Sequence, residues 1–265
     1  GIDPQRLVGR IVGGTTRRGK YLWLPLVSGP SPTPDPLDNA GLLLDAGASL
    51  EVINFKIKAF TQTSIPFSVV NGNLKARGVS IYSSVGRRLM NIAPIAGQTV
   101  DLDDVTLIRA ADTTNYSSNN YSIFTTVDAA AGAFLRIGKI KVIANHNLAG
   151  TAASNAGRAH FRIANLNYRI DALAIVNNYA RGEVGQDVYI DSSAGNCSIG
   201  TLEEVQDVAG GNMTIVAPTG GKLAIRHLEL HNGFPSAIAA YIGTVFARGG
   251  ATVTGALNTP TTITV

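Results

Sequence analysis

Residues Met213–Arg248 read MTIVAPTGGKLAIRHLELHNGFPSAIAAYIGTVFAR, and the reading of the fold turns on their periodicity. Thr214-Ile215-Val216 is a short β-prone run, and Pro218-Thr219-Gly220-Gly221 is a turn cluster. Leu223–Leu230 resumes strand character, and Asn232-Gly233 is a dipeptide favoured in tight turns. Beyond it Ile238, Ala240, Ile242, Thr244 and Phe246 recur at every second residue, the period of a strand with one buried face. Within Leu223–Leu230 the phase slips at Arg226-His227, where Leu223 and Ile225 give way to Leu228 and Leu230. Phe161, Ile163, Leu166, Tyr168 and Ile170 slip in the same way near Ala164-Asn165. A β-bulge, which inserts one unpaired residue into a ladder, is the expected cause of both slips.

Working outward, Leu42–Leu44 reads as a short turn. Leu50–Phe60 reads as a half-buried strand with Ile53, Phe55, Ile57 and Ala59 on one face and Asn54, Lys56 and Lys58 on the other. Ser64–Val70 and Lys75–Ser83 predict a hairpin closed by Asn71-Gly72-Asn73. Gln98–Arg109, Phe134–Ile143, Val188–Ile190, Thr252-Val253 and Thr261–Val265 extend the strand list, while Leu202–Val208 would allow one or two helical turns. Residues 112–122 and 146–158 are polar connections, and the second suggests a subdivision of the body near 145–158. Strands and helices do not alternate, so a doubly wound fold is excluded. The expectation is an all-β body over 41–265, an antiparallel, jelly-roll-like β-sandwich, either one large or two small.

A chain of 265 residues can bury a substantial core, and 45% hydrophobic residues exclude a disordered protein. Only 15% of residues are charged, against about 25% in ordinary soluble domains. Such a surface suits packing against neighbouring subunits. No apolar run approaches the roughly 18–20 residues that span a bilayer, and the first residues lack the apolar core of a signal peptide. The lone Cys197 rules out an intrachain disulfide and a cysteine-built zinc site, and it is expected as a small core residue.

Residues 1–40 form a separate unit. Arg6, Arg10, Arg17, Arg18 and Lys20 against Asp3 carry +4 within residues 1–20, the formal charge of the whole chain. Trp23 lies in the apolar run Tyr21–Val27. Pro30, Pro32, Pro34 and Pro36 then alternate in GPSPTPDP, an extended spacer of roughly 25 Å at about 3.1 Å per residue. The reading is a basic arm on a stiff spacer that reaches a neighbouring subunit, with weak contact to nucleic acid or membrane as a secondary role. The cations are too few and too loosely spaced for a nucleic-acid-binding signature, and no aromatic residues interleave with them.

Catalytic signatures are thin. No G-x-S-x-G elbow, Walker loop or G-x-G-x-x-G motif is present. Asp101, Asp103 and Asp104 cluster around Leu102 and are candidate calcium ligands, although the EF-hand glycine and closing glutamate are missing. His227, Glu229 and His231 share one face of a strand, but their outer members lie roughly 13 Å apart at about 3.3 Å per residue. A metal there would need a ligand from another strand. Neither group is assigned a metal, and no cofactor or small-molecule substrate is expected.

The block NMTIVAPTGGKLAIRHLELHNG, followed by AIAAYIGTVFA, resembles sandwich segments of phage and virus virion proteins. The layout of basic arm, proline-rich spacer and weakly charged β-body resembles jelly-roll capsid subunits. The resemblance implies a structural, non-enzymatic protein of a virus or phage particle, located in the virion, assembling symmetrically with copies of itself and with other virion proteins. Two other readings stay open. One is a secreted carbohydrate-binding or adhesin module using Tyr116 and Tyr121, and the other is a metal-dependent, cupin-like enzyme using His227 and His231.

Overall fold

The computed structural model of the chain describes residues 42–45, 47–60, 65–83, 88–109, 122–144, 160–177, 186–191, 196–206, 212–216, 222–231, 235–238, 241–248, 252–257 and 259–264. In chain order the strands begin with β1 (Leu42–Leu44), β2 (Ala48–Ile53), β3 (Lys56–Phe60), β4 (Phe67–Val69), β5 (Gly72–Ser83) and β6 (Met90–Ile92). Next come β7 (Thr99–Arg109), β8 (Phe124–Thr125), β9 (Phe134–Ala144), β10 (Phe161–Ile163), β11 (Asn167–Asn177) and β12 (Gln186–Asp191). The series closes with β13 (Asn196–Gln206), β14 (Asn212–Val216), β15 (Lys222–His231), β16 (Pro235–Ile238), β17 (Tyr241–Arg248), β18 (Thr252–Leu257) and β19 (Thr259–Thr264).

Apart from the pairs β2/β3 and β18/β19, successive strands alternate between two sheets. One sheet runs β1-β4-β6-β8-β10-β12-β14-β16-β18-β19, and the other runs β17-β15-β13-β11-β9-β7-β5-β2 with β3 also on β5. Every pairing is parallel except the last, where β18 and β19 are antiparallel. The chain is a β-solenoid, in which each coil lays one strand on each sheet and the next coil stacks on it. Eight coils on the long-strand sheet rise by about 34 Å at roughly 4.8 Å per strand.

The antiparallel, jelly-roll-like sandwich is therefore overturned. Its strands were located largely correctly, but their partners were assigned to sequence neighbours instead of to residues one coil away. Asn71-Gly72-Asn73 closes no hairpin. It is the corner between β4 and β5, which lie in different sheets. A Cβ at Gly72 would meet the Ala48 carbonyl oxygen at 2.6 Å and the Leu44 side chain at 2.8 Å, so glycine is required by the coil below. Ile238 and Ile242 likewise belong to β16 and β17, one on each sheet, and not to one strand. Leu42–Leu44 is a strand, and Leu202–Val205 lies within β13 and is not helical.

The phase slips have a common origin. In the long strands, apolar residues point inward at positions one, three, six and eight of an eight-residue unit. The units are Leu74, Ala76, Val79, Ile81; Val100, Leu102, Val105, Leu107; Leu135, Ile137, Ile140, Val142; and Tyr168, Ile170, Leu173, Ile175, all buried. The two adjacent outward residues form a bend, at Arg77-Gly78, Asp103-Asp104, Gly138-Lys139 and Asp171-Ala172. Asn54, Gly78 and Asp104 hold it with φ of 57°, 64° and 52°, a region that glycine, Asn and Asp tolerate best. The slip at Arg226-His227 is this same bend, shared by all coils, and not an isolated bulge. The slip at Ala164-Asn165 is a corner between β10 and β11, with Asn165 at φ 67°. The first coil bends too, so Ile53 is 65% exposed instead of facing inward.

Register stacks like positions into columns through the core. Leu74, Val100, Leu135 and Tyr168 form one column, and Ala76, Leu102, Ile137 and Ile170 the next. Leu42, Phe67, Met90, Phe124, Phe161 and Val188 line the opposite sheet. Phe124 and Phe161 stack with centroids 4.8 Å apart. Cys197 is buried in the core. β9 and β11, on either side of residues 145–158, are adjacent strands in register over ten residue pairs.

Candidate functional site

Outward residues of the long-strand sheet also stack in columns. In one column Glu51 lies beside Lys75, Lys75 beside Asp101, and Asp101 beside Arg136. In the next, Arg77 lies beside Asp103. Opposite charges on facing positions of adjacent strands attract, so the alternation favours this register. Arg136 Nη1 lies 4.0 Å from Asp101 Oδ2, and Arg169 Nε donates to Asp171 Oδ1 at 3.2 Å.

Where the bend crosses β5, β7, β9 and β11 this face is concave. Arg77, Asp101, Asp103, Arg136, Gly138, Lys139 and Asp171 line a half-open cavity of about 190 Å³. Gly138 is its floor. A Cβ at that position would collide with the Asp103 carboxylate, which leans over the glycine. The Asp104 backbone N–H donates to Asp103 Oδ1 at 3.0 Å and holds that orientation. Asp103 and Asp171 stand on either side of β9, two strand spacings apart, or about 9.6 Å between backbones. Three carboxylates face three cationic groups, so the lining has no net charge while presenting both acceptors and donors.

The sequence-derived sites distribute unevenly. Asp101 and Asp103 reach this cavity, whereas Asp104 sits exposed at the bend. Among the described residues no group of three His, Cys, Asp or Glu is placed to hold a metal ion. His227 Nε2 lies 3.7 Å from Glu229 on the outward face of β15, and His231 ends that strand. Arg6, Arg10, Arg17, Arg18, Lys20, Trp23, Pro30, Pro32, Pro34, Pro36, Tyr116 and Tyr121 lie outside the described residues. Sequence reasoning missed Arg77, Arg136, Lys139 and Asp171. Aligning the eight-residue units puts Arg136 at the second position, Arg77 and Asp171 at the fourth and Lys139 at the fifth, all outward, and that alignment was the available signal.

No protein-family model, curated protein or solved structure matches this chain.

Proposed function

We propose that the chain is a structural subunit of a virus or phage particle, working as a stiff rod in several copies and not turning over a substrate. The observation that supports this reading is the solenoid. Each coil is tied to the next by main-chain hydrogen bonds along both sheets and by continuous apolar columns. Bending the rod would break both at once. Such a body suits a component that projects from a particle better than one that tiles a shell.

The end coils of a solenoid present strand edges, and covering them with another copy is a direct route to oligomers. The low charge content, 15%, is consistent with surfaces that pack against copies of the chain. The arm of residues 1–40 takes the same part here as in the sequence reading, reaching a neighbouring subunit.

Sedimentation velocity and electron microscopy of the full chain test this. An elongated oligomer is expected, and removal of residues 1–36 should shift sedimentation toward the monomer while the β signal in circular dichroism persists. A full chain that sediments as a monomer at all concentrations overturns the proposal.

A further inference from the structure

We infer that the cavity over Gly138 is a binding site for an uncharged glycan chain lying along the solenoid. Its lining contains no apolar side chain, so an apolar ligand would gain nothing from entering it. Its three carboxylates (Asp101, Asp103, Asp171) balance its three cations (Arg77, Arg136, Lys139), so no net field selects an anion or a cation.

What the lining does offer is bidentate groups of both kinds. A carboxylate accepts two hydrogen bonds side by side, and a guanidinium donates two side by side. Adjacent hydroxyls on a sugar ring donate and accept at the same spacing. A ligand made of vicinal hydroxyls is the class that uses acceptors and donors together without requiring net charge.

The geometry adds length. Four consecutive coils contribute residues, so the cavity is part of a ladder that repeats at about 4.8 Å. An extended polysaccharide advances by about the same distance per sugar as the solenoid does per coil. Gly138 makes room for the Asp103 carboxylate at the centre, because a Cβ there would collide with it. Asp103 and Asp171 would then accept hydroxyls on either side of one sugar, with Arg77, Arg136 and Lys139 donating along the rims. The site lies within one chain, so it does not depend on the copy number proposed above.

The test uses the full chain and biolayer interferometry on immobilised neutral polysaccharides (dextran, amylose, galactomannan, xyloglucan) and anionic ones (polygalacturonate, heparin). The expected result is binding to at least one neutral polymer, changed less than about twofold between about 0.05 and about 0.5 M salt. Asp171→Ala should weaken it at least about tenfold, the effect of losing a charged hydrogen-bond partner. Gly138→Ala should do the same by displacing the Asp103 carboxylate. Lys56→Ala, on the outward face of β3 and outside the cavity, should bind as the unaltered chain does. If Gly138→Ala fails to fold, Asp171→Ala and Lys139→Ala carry the test. The inference is overturned if no neutral polymer binds, if only anionic polymers bind and salt removes them, or if the cavity variants bind as the unaltered chain does.

Discussion

The two sheets of the solenoid differ in what their outer faces meet. On the long-strand sheet Lys75, Arg136, Arg169 and Asp171 are exposed, and Asp101 and Asp103 are half-buried in the cavity. On the other sheet Ser68 of β4, Asn91 of β6 and Thr125 of β8, which share one column, are 0%, 5% and 1% exposed. That sheet is enclosed on both faces over these coils. Arg88 helps to close it, since its Nη1 donates to Asn91 Oδ1 at 3.2 Å and to Asp128 Oδ2 at 2.8 Å. Burial on both faces makes a sheet intolerant of change, whereas an open face is free to carry a ligand. The enclosed sheet therefore concentrates stability, and the open one displays chemistry.

The largest effect expected from this contrast is at Phe124, buried in the enclosed sheet and stacked on Phe161. Phe124→Ala should cost about 3–5 kcal/mol through lost burial and the cavity left behind. Arg169→Ala, on the open face, should change stability by no more than about 0.5 kcal/mol. Urea denaturation of the full chain measures both. Similar midpoints for the two variants would break the comparison.

A second pair sharpens it within the bend itself. Gly138 and Gly200 are equivalent positions two coils apart, but they face different obstacles. At Gly200 an added Cβ would collide with the Asp171 carbonyl oxygen, a backbone atom that cannot move without distorting β11. At Gly138 the obstacle is the end of the Asp103 side chain, which can rotate away. Gly200→Ala should therefore cost about 2–3 kcal/mol, in the range of overpacked sites, and Gly138→Ala less than about 1 kcal/mol. Equal thermal shifts for the two variants would mean that backbone and side chain yield alike at the bend.

How much of this was legible in the sequence depends on the length scale of each signal. Strand positions such as Gln98–Arg109 and Phe134–Ile143 were readable because alternation is local. Pairing was not, because Leu74 meets Val100, and Val100 meets Leu135, across intervals of unequal length. That inequality hid the repeat from any fixed-period reading. The slips at Arg226-His227 and Ala164-Asn165 were seen but explained one at a time. Their recurrence in every coil marks bends and corners. Gly47, Gly97 and Gly132, each following alanine just before a long strand and each at positive φ, repeat the same message. For the candidate site, Asp101 and Asp103 stood out because only Leu102 separates them in sequence. Asp171 and Arg136 did not, because only stacking brings them near.

The smallest expected effect concerns two hydroxyls on the enclosed side, both fully buried. Thr126 Oγ1 accepts from the Ala164 N–H at 2.8 Å and donates to the Ala164 carbonyl at 2.8 Å, closing the corner between β10 and β11. Ser68 Oγ is buried with no hydrogen-bond partner among the described residues. The same change of hydroxyl to hydrocarbon must then have unequal consequences. Thr126→Val keeps the shape but strands a buried N–H and a buried C=O, at a cost of about 1–3 kcal/mol. Ser68→Ala removes a group that was desolvated without compensation, so it should be neutral or stabilise by up to about 1 kcal/mol. Chemical denaturation of the two variants side by side decides the matter. If Ser68→Ala proves the more damaging, the enclosed face of β4 holds a polar contact that the stacking of the coils does not account for.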